Sequence, residues 1–114
     1  MYGWGSITER GEASENLLQI DTQIVAYSEC NSPTVYAGRV SPTEFCARSR
    51  IPDADTCLGF AGSALISSQR SFPELVGLVS WGDGCGRQGK PTVYVNTAHF
   101  EEWIYSVVQS GGRR

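Results

Sequence analysis

The residues with the clearest capacity for covalent chemistry are four cysteines, Cys30, Cys46, Cys57 and Cys85. An even set in a chain of 114 residues is the pattern of a small disulfide-stapled domain made for an oxidising, extracellular compartment. Zinc is the competing chemistry. The successive gaps of 16, 11 and 28 residues provide no closely spaced cysteine pair, and the single histidine, His99, falls on a helical stretch. Disulfides are therefore expected, with no metal and no other cofactor, and four cysteines leave three connectivities open. A lone histidine on an exposed helix face is an ordinary surface residue far more often than a catalytic base.

The elements that must hold these groups are short. Thirteen Gly and five Pro punctuate the whole length, which breaks the chain into segments of strand size. The clearest is Leu18 to Ile24, where Leu18, Ile20, Thr22 and Ile24 share one face and polar residues take the other. That face is expected to be buried. Further strands are expected over Phe45–Arg48, Ser63–Ser67, Leu75–Trp81 and Thr92–Asn96, each β-branched or aromatic-rich and bounded by turn formers. Near the end, Phe100, Trp103, Ile104 and Val107 recur with helical spacing after Thr97 as N-cap. Glu101 and Glu102 suit the positive end of that helix, and Gly111-Gly112 ends it. The fold class is all-β, a barrel or sandwich of five or six strands closed by a C-terminal α-helix, as one domain over 1–114.

Composition narrows the partners. Nine Lys and Arg against 12 Asp and Glu give a net charge of −3, with the basic residues scattered singly apart from the terminal Arg113-Arg114, so nucleic acid is not expected to bind. Hydrophobic residues at 40% and charged ones at 18% fit a folded chain. The longest apolar stretch, Leu75 to Val79, falls far short of the roughly 20 residues a membrane span needs. No membrane partner is expected. Met1-Tyr2-Gly3-Trp4-Gly5 lacks the basic and apolar regions of a secretory signal, which suggests a processed start or a piece of a longer chain.

Five motifs fix a resemblance. Gly3-Trp-Gly opens the chain; Asp55-Thr-Cys-Leu-Gly-Phe-Ala-Gly-Ser-Ala-Leu lies mid-chain; Gly77-Leu-Val-Ser-Trp-Gly-Asp-Gly-Cys-Gly, Lys90-Pro-Thr-Val-Tyr-Val and Glu102-Trp-Ile follow. In order and spacing the chain resembles the C-terminal half of chymotrypsin/trypsin-like serine proteases, over nearly its whole length. The resemblance implies an antiparallel six-stranded second β-barrel with its terminal helix, without the first barrel. It also implies the pairings Cys30–Cys46 and Cys57–Cys85, and a secreted protein.

The same resemblance implies where the chemistry should be. The family's nucleophile sits within Gly-Asp-Ser-Gly-Gly-Pro; the matching run here is Gly59-Phe-Ala-Gly-Ser-Ala, with Ala61 at the nucleophile position. A methyl group has neither a proton to lose nor a lone pair to attack with. Gly59 and Ala61 take the places whose backbone N–H groups form the oxyanion hole. Phe60 stands where active relatives carry the Asp that shapes that hole, and is expected to be a core aromatic instead. Ser63 lies two residues beyond and should point elsewhere. With Ser63 and Ala64 departing from the pattern too, the sequence has diverged from catalysis at several positions rather than at one. The family's His and Asp belong to the first barrel.

The specificity pocket gives a mixed picture. Asp55 matches the acidic residue that recognises Arg or Lys in trypsin-like members, and Ser80-Trp81-Gly82 matches the strand that pairs with an extended substrate. Thr92 stands where those members have a pocket-lining Gly, which should narrow the pocket, and Leu58 adds an apolar rim. These features imply a non-catalytic serine protease homologue that works by binding a protein: a protease, an inhibitor or the absent first barrel. The alternative is a component or fragment of a secreted trypsin-like endopeptidase cleaving after Arg or Lys. Without the first barrel, the strand at Met1-Tyr2 is expected to lose a pairing partner.

Overall fold

The computed structural model describes residues 1–6, 14–50, 60–69, 71–82 and 90–111. Seven strands run β1 (Tyr2–Gly3), β2 (Leu18–Gln19), β3 (Thr22–Val25), β4 (Glu44–Ser49), β5 (Ala64–Ser67), β6 (Glu74–Trp81) and β7 (Thr92–Asn96). A single helical turn, α1 (Tyr27–Cys30), follows β3, and a 3₁₀ turn, Thr97–Phe100, leads into α2 (Glu101–Gly111). All strand pairs are antiparallel, in the order β2-β1-β5-β6-β7-β4-β3.

The count of seven, against six expected, comes from a single corner. The two ends of that strand order, β2 and β3, are consecutive in the chain and are separated only by Ile20 and Asp21. Ile20 exchanges both backbone bonds with Met1: its N–H donates to Met1 O at 2.8 Å, and its carbonyl accepts from the Met1 amine at 2.9 Å. Burial lowers the pKa of that amine, and the nearby Asp21 carboxylate opposes the shift. One residue on, Asp21 O accepts from Arg50 N at 2.9 Å, which continues the pairing of β3 with β4. The expected strand Leu18–Ile24 is therefore present as two halves that pair on opposite flanks. Strands that switch partners through a bend are how a sheet turns a corner.

That corner corrects the expected face. Ile20 and Val25 are buried, five residues apart, so the alternation slips by one between them. The slip turns Ile24 outward to 66% exposure. β1 also departs from expectation, since it pairs with β2 on one side and β5 on the other.

Two clusters fill the interior. One gathers Met1, Ile20, Ala47, Phe60, Leu65, Val79 and Tyr94; the other gathers Val25, Cys30, Tyr36, Val40, Cys46 and Val93. Phe45 and Tyr94 face each other across β4 and β7 and stack with centroids 5.5 Å apart. Gly77 lies beneath this pair: a Cβ there would meet Phe45 Cζ at 2.8 Å and Tyr94 Cβ at 3.3 Å. Gly77→Val is expected to force the stacked rings apart and cost about 1–3 kcal/mol, read as a lower urea midpoint at unchanged slope.

In the second cluster Cys30, closing α1, is bonded to Cys46 on β4, as the resemblance implied, and both are fully buried. The Cys57–Cys85 pairing lies outside the described residues. The segment between Cys30 and Cys46 is fastened by Asn31, whose side chain donates to Val40 O and accepts from Val40 N, both at 2.9 Å. Tyr27 Oη donates to the same carbonyl at 2.7 Å.

The helix carries a second correction. Asn96 is the cap, its Oδ1 accepting from Ala98 N at 3.1 Å, and Thr97 opens the 3₁₀ turn. Thr97 Oγ1 instead donates to Leu75 O, tying the turn to β6. α2 starts at Glu101 with both glutamates in its first turn. Its apolar residues are uncovered, Trp103 at 65% and Val108 at 63% exposure. No helix among the described residues is long and apolar enough to cross a membrane.

Candidate functional site

The turn that carries Ala61 is built by its glycine. Ser63 N donates to Phe60 O at 2.8 Å, closing a four-residue turn with Ala61 and Gly62 at its centre. Gly62 has φ +83°, while Ala61 is not among the residues of positive φ. That combination is a type II turn, which needs a residue free to adopt positive φ at its third position. The turn is fixed to β6 by Gly62 N donating to Val79 O at 2.8 Å and Val79 N donating to Ser63 O at 2.9 Å. Ala61 and Gly62 are consequently exposed at the tip.

Phe60 and Ser63 flank that tip with different fates. Phe60 is fully buried in the first cluster. A Cβ on Gly3 would stand 2.5 Å from its Cδ1 and 2.6 Å from Ser63 Oγ, so β1 passes directly over both side chains. Ser63 is half-buried against β1, while Ala61 is exposed at the tip. His99 is exposed on the 3₁₀ turn.

Beyond the turn, β6 outruns its neighbour. β5 pairs with β6 only as far as Ala64 opposite Leu78, and the turn's bonds extend the contact to Val79. Ser80, Trp81 and Gly82 continue past it, held on their other side by β7 through Trp81 opposite Val93. Among the described residues nothing pairs with the outer backbone edge of this overhang. Gly82 lies close to the chain opposite: a Cβ there would be 3.5 Å from Pro91 O and 3.6 Å from Thr92 Cα. Thr92 is buried at 6% exposure. Asp55, Leu58 and Gly59 lie outside the described residues, so of the expected oxyanion pair only Ala61 is placed.

Around Trp81 the structure gathers residues that sequence reading did not single out. The indole meets the Tyr36 ring edge to face, centroids 4.7 Å apart, and its Nε1 donates to Glu44 Oε2 at 3.1 Å. Glu44 Oε1 accepts from Ser41 N. The Arg39 guanidinium lies 5.3 Å from both ring centroids, and its Nε donates to Tyr36 O at 3.4 Å. Lys90 Nζ lies 5.2 Å from the Tyr36 ring and donates to Val35 O at 2.6 Å. Tyr36 Oη donates to Pro91 O at 2.5 Å across 55 positions. Just before Arg39 the backbone turns through Ala37 and Gly38, both at positive φ.

An antiparallel barrel with a terminal helix, a Gly-turn beside a strand overhang, and a buried disulfide from α1 to β4 together define a trypsin-type barrel. The family model described as Trypsin matches residues 1–104, and the chain belongs to that family. It is 39% identical over 103 residues to the hepatocyte growth factor activator serine protease of Mus musculus, covering 90% of this chain and 16% of the relative. It is 35% identical over 105 residues to transmembrane protease serine 11G of the same species, covering 91% of this chain and 25% of that one. It is 43% identical over 105 residues to trypsin epsilon of Drosophila erecta, covering 90% and 38%. The chain thus spans well under half the length of these relatives.

Proposed function

We propose that this chain is the second barrel of a trypsin-like protein that acts by binding another protein rather than by hydrolysis, in an extracellular setting. The observation that carries the reading is Ala61, exposed at the tip of the turn where the family's pattern implies the nucleophile. Phe60, buried where that pattern implies a carboxylate, supports it, because the ion pair that would shape an oxyanion hole has no acidic member there. The open edge at Ser80–Gly82 supports a binding role: an extended partner segment can add to it as a strand through main-chain hydrogen bonds. The partners that fit are a protease, an inhibitor, or a first barrel meeting the apolar residues of α2.

A second reading, part of a trypsin-like endopeptidase cleaving after Arg or Lys, is favoured by the relatives, all of them named as proteases or a trypsin. Restoring the nucleophile tests the binding reading. The parent chain and Ala61→Ser are both expected to leave small Arg and Lys esters and amides intact, because a serine without its His–Asp partners lacks a base. Turnover by Ala61→Ser that a serine-directed active-site reagent abolishes would overturn the binding reading.

A further inference from the structure

We propose that the cleft beyond the Met1 end of β1 is a slot for one extended strand of another protein, a segment with apolar side chains opposite Thr22 and Ile24 and a polar one opposite Gln23. The inference stands apart from the reading of Ser80–Gly82, which concerns the edge of β6.

The slot follows from which backbone groups are already bonded. Asp21 O accepts from Arg50 N, and the bonds of an antiparallel pair fall on alternate residues, so β3 turns Asp21, Gln23 and Val25 toward β4. Thr22 and Ile24 turn the other way, as Ile20 does where it bonds Met1. On the opposite flank Ser63 O accepts from Val79 N, so β5 turns Ala64 away from β6 and toward Tyr2, and Ile66 after it to the same side. β1 fills the gap between these flanks at Tyr2–Gly3, with Met1 bonded at its end. Both flanks run on past Met1. Among the described residues nothing bonds the backbone of Thr22, Ile24 or Ile66 on the side of the gap.

A cleft of about 560 Å³ lies there, and Met1, Thr22, Ile24, Leu65, Ile66 and Val76 all line it. Its charged side chains are Asp21 and Arg50, one of each sign, so the lining selects no charged ligand. What remains unmet is backbone, which a strand satisfies. A segment in line with β1 runs antiparallel to β5, as β1 does, with its C-terminal residue meeting Met1. Residues directly opposite one another share a face, so those opposite Thr22 and Ile24 lie on the side where Ile24 stands 66% exposed, and the one opposite Gln23 lies on the other. Covering Ile24 supplies apolar burial, and pairing along both flanks sets the register.

The test is an NMR titration of the full chain with the blocked peptide acetyl-Lys-Val-Thr-Val-Thr-amide, a counterpart with Ser for both Val, and a third with its second Val N-methylated. The Val peptide is expected to shift the amides of Thr22, Ile24 and Ile66 more than those of Gln23 and Val25, which β4 already holds. The Ser peptide should bind about ten-fold more weakly, for want of apolar burial. The N-methylated peptide, which cannot donate to Thr22, should bind several-fold more weakly too. In Ile24→Ser the preference for Val over Ser should narrow to roughly three-fold, at an unchanged unfolding midpoint because Ile24 is exposed. Silence of the Thr22, Ile24 and Ile66 amides, equal affinity for the Val and Ser peptides, or undiminished binding of the N-methylated one would overturn the proposal. So would the same shifts appearing on raising the protein concentration alone, which would make a second copy the occupant. A response confined to Ser80–Gly82 would overturn it while leaving strand addition to β6 standing.

Discussion

Phe60→Asp, the substitution that restores the family's carboxylate, is expected to unfold this chain rather than prepare it for catalysis. The ring is fully buried among Met1, Ile20, Leu65, Val79 and Tyr94, directly beneath Gly3. Removing it leaves a cavity worth about 3–5 kcal/mol. The carboxylate adds a buried polar group that must either stay desolvated or bind a proton. The sum is on the order of the whole stability of a small domain, about 5–15 kcal/mol. The pH dependence has a definite sign. Burial raises the folded-state pKa of the new carboxyl above its unfolded value, so the variant is least unstable below the unfolded pKa and loses stability as pH rises through the folded one. Phe60→Leu, which keeps most of the volume, should cost only about 1–2 kcal/mol. Circular dichroism during urea titration at pH 4 and pH 7 measures both. A Phe60→Asp chain that unfolds cooperatively within 1 kcal/mol of its parent at pH 7 would mean that the site accepts a carboxylate.

Loss of the Cys30–Cys46 bond ranks second. It closes a loop of sequence separation 16, for which the chain-entropy model gives about 3 kcal/mol. Both half-cystines are fully buried between α1 and β4, so replacing them with alanine also removes packed atoms from the second cluster. For a domain of this size, 3 kcal/mol corresponds to a fall in Tm on the order of 10–20 °C. The consequence extends to the candidate site, because the same loop carries Tyr36 and Arg39 against Trp81. The double variant Cys30→Ala/Cys46→Ala should therefore show a lower Tm and a shifted Trp81 indole N–H signal in the folded state. A Tm within 3 °C of the parent would show that Asn31 and Tyr27, bonded to Val40, hold the loop without the disulfide.

What the sequence determined alone was the set of short-range choices. β-branched and aromatic runs bounded by Gly and Pro located β4 to β7 to within a residue at each end, since strand propensity and turn chemistry are local. The helical recurrence of Phe100, Trp103, Ile104 and Val107 located α2 for the same reason. The motif order identified the family and the Cys30–Cys46 pair, and it singled out Ala61 and Phe60 as departures. Tertiary structure decided where a strand must serve two neighbours. Closing the sheet bends Leu18–Val25 at Ile20–Asp21 and slips its alternation, which put Ile24 outside although its spacing marked it as core. The helix cap moved to Asn96 because Thr97 is bonded to β6 instead. The cluster of Arg39, Tyr36, Trp81, Glu44 and Lys90 was out of reach of sequence reading for a simple reason. The contacts that join the Tyr36–Glu44 segment to Trp81, Lys90 and Pro91 span 37 to 55 positions, and neither periodicity nor propensity carries information at that range; only the sheet order that sets β4 and β6 on either side of β7 brings them together.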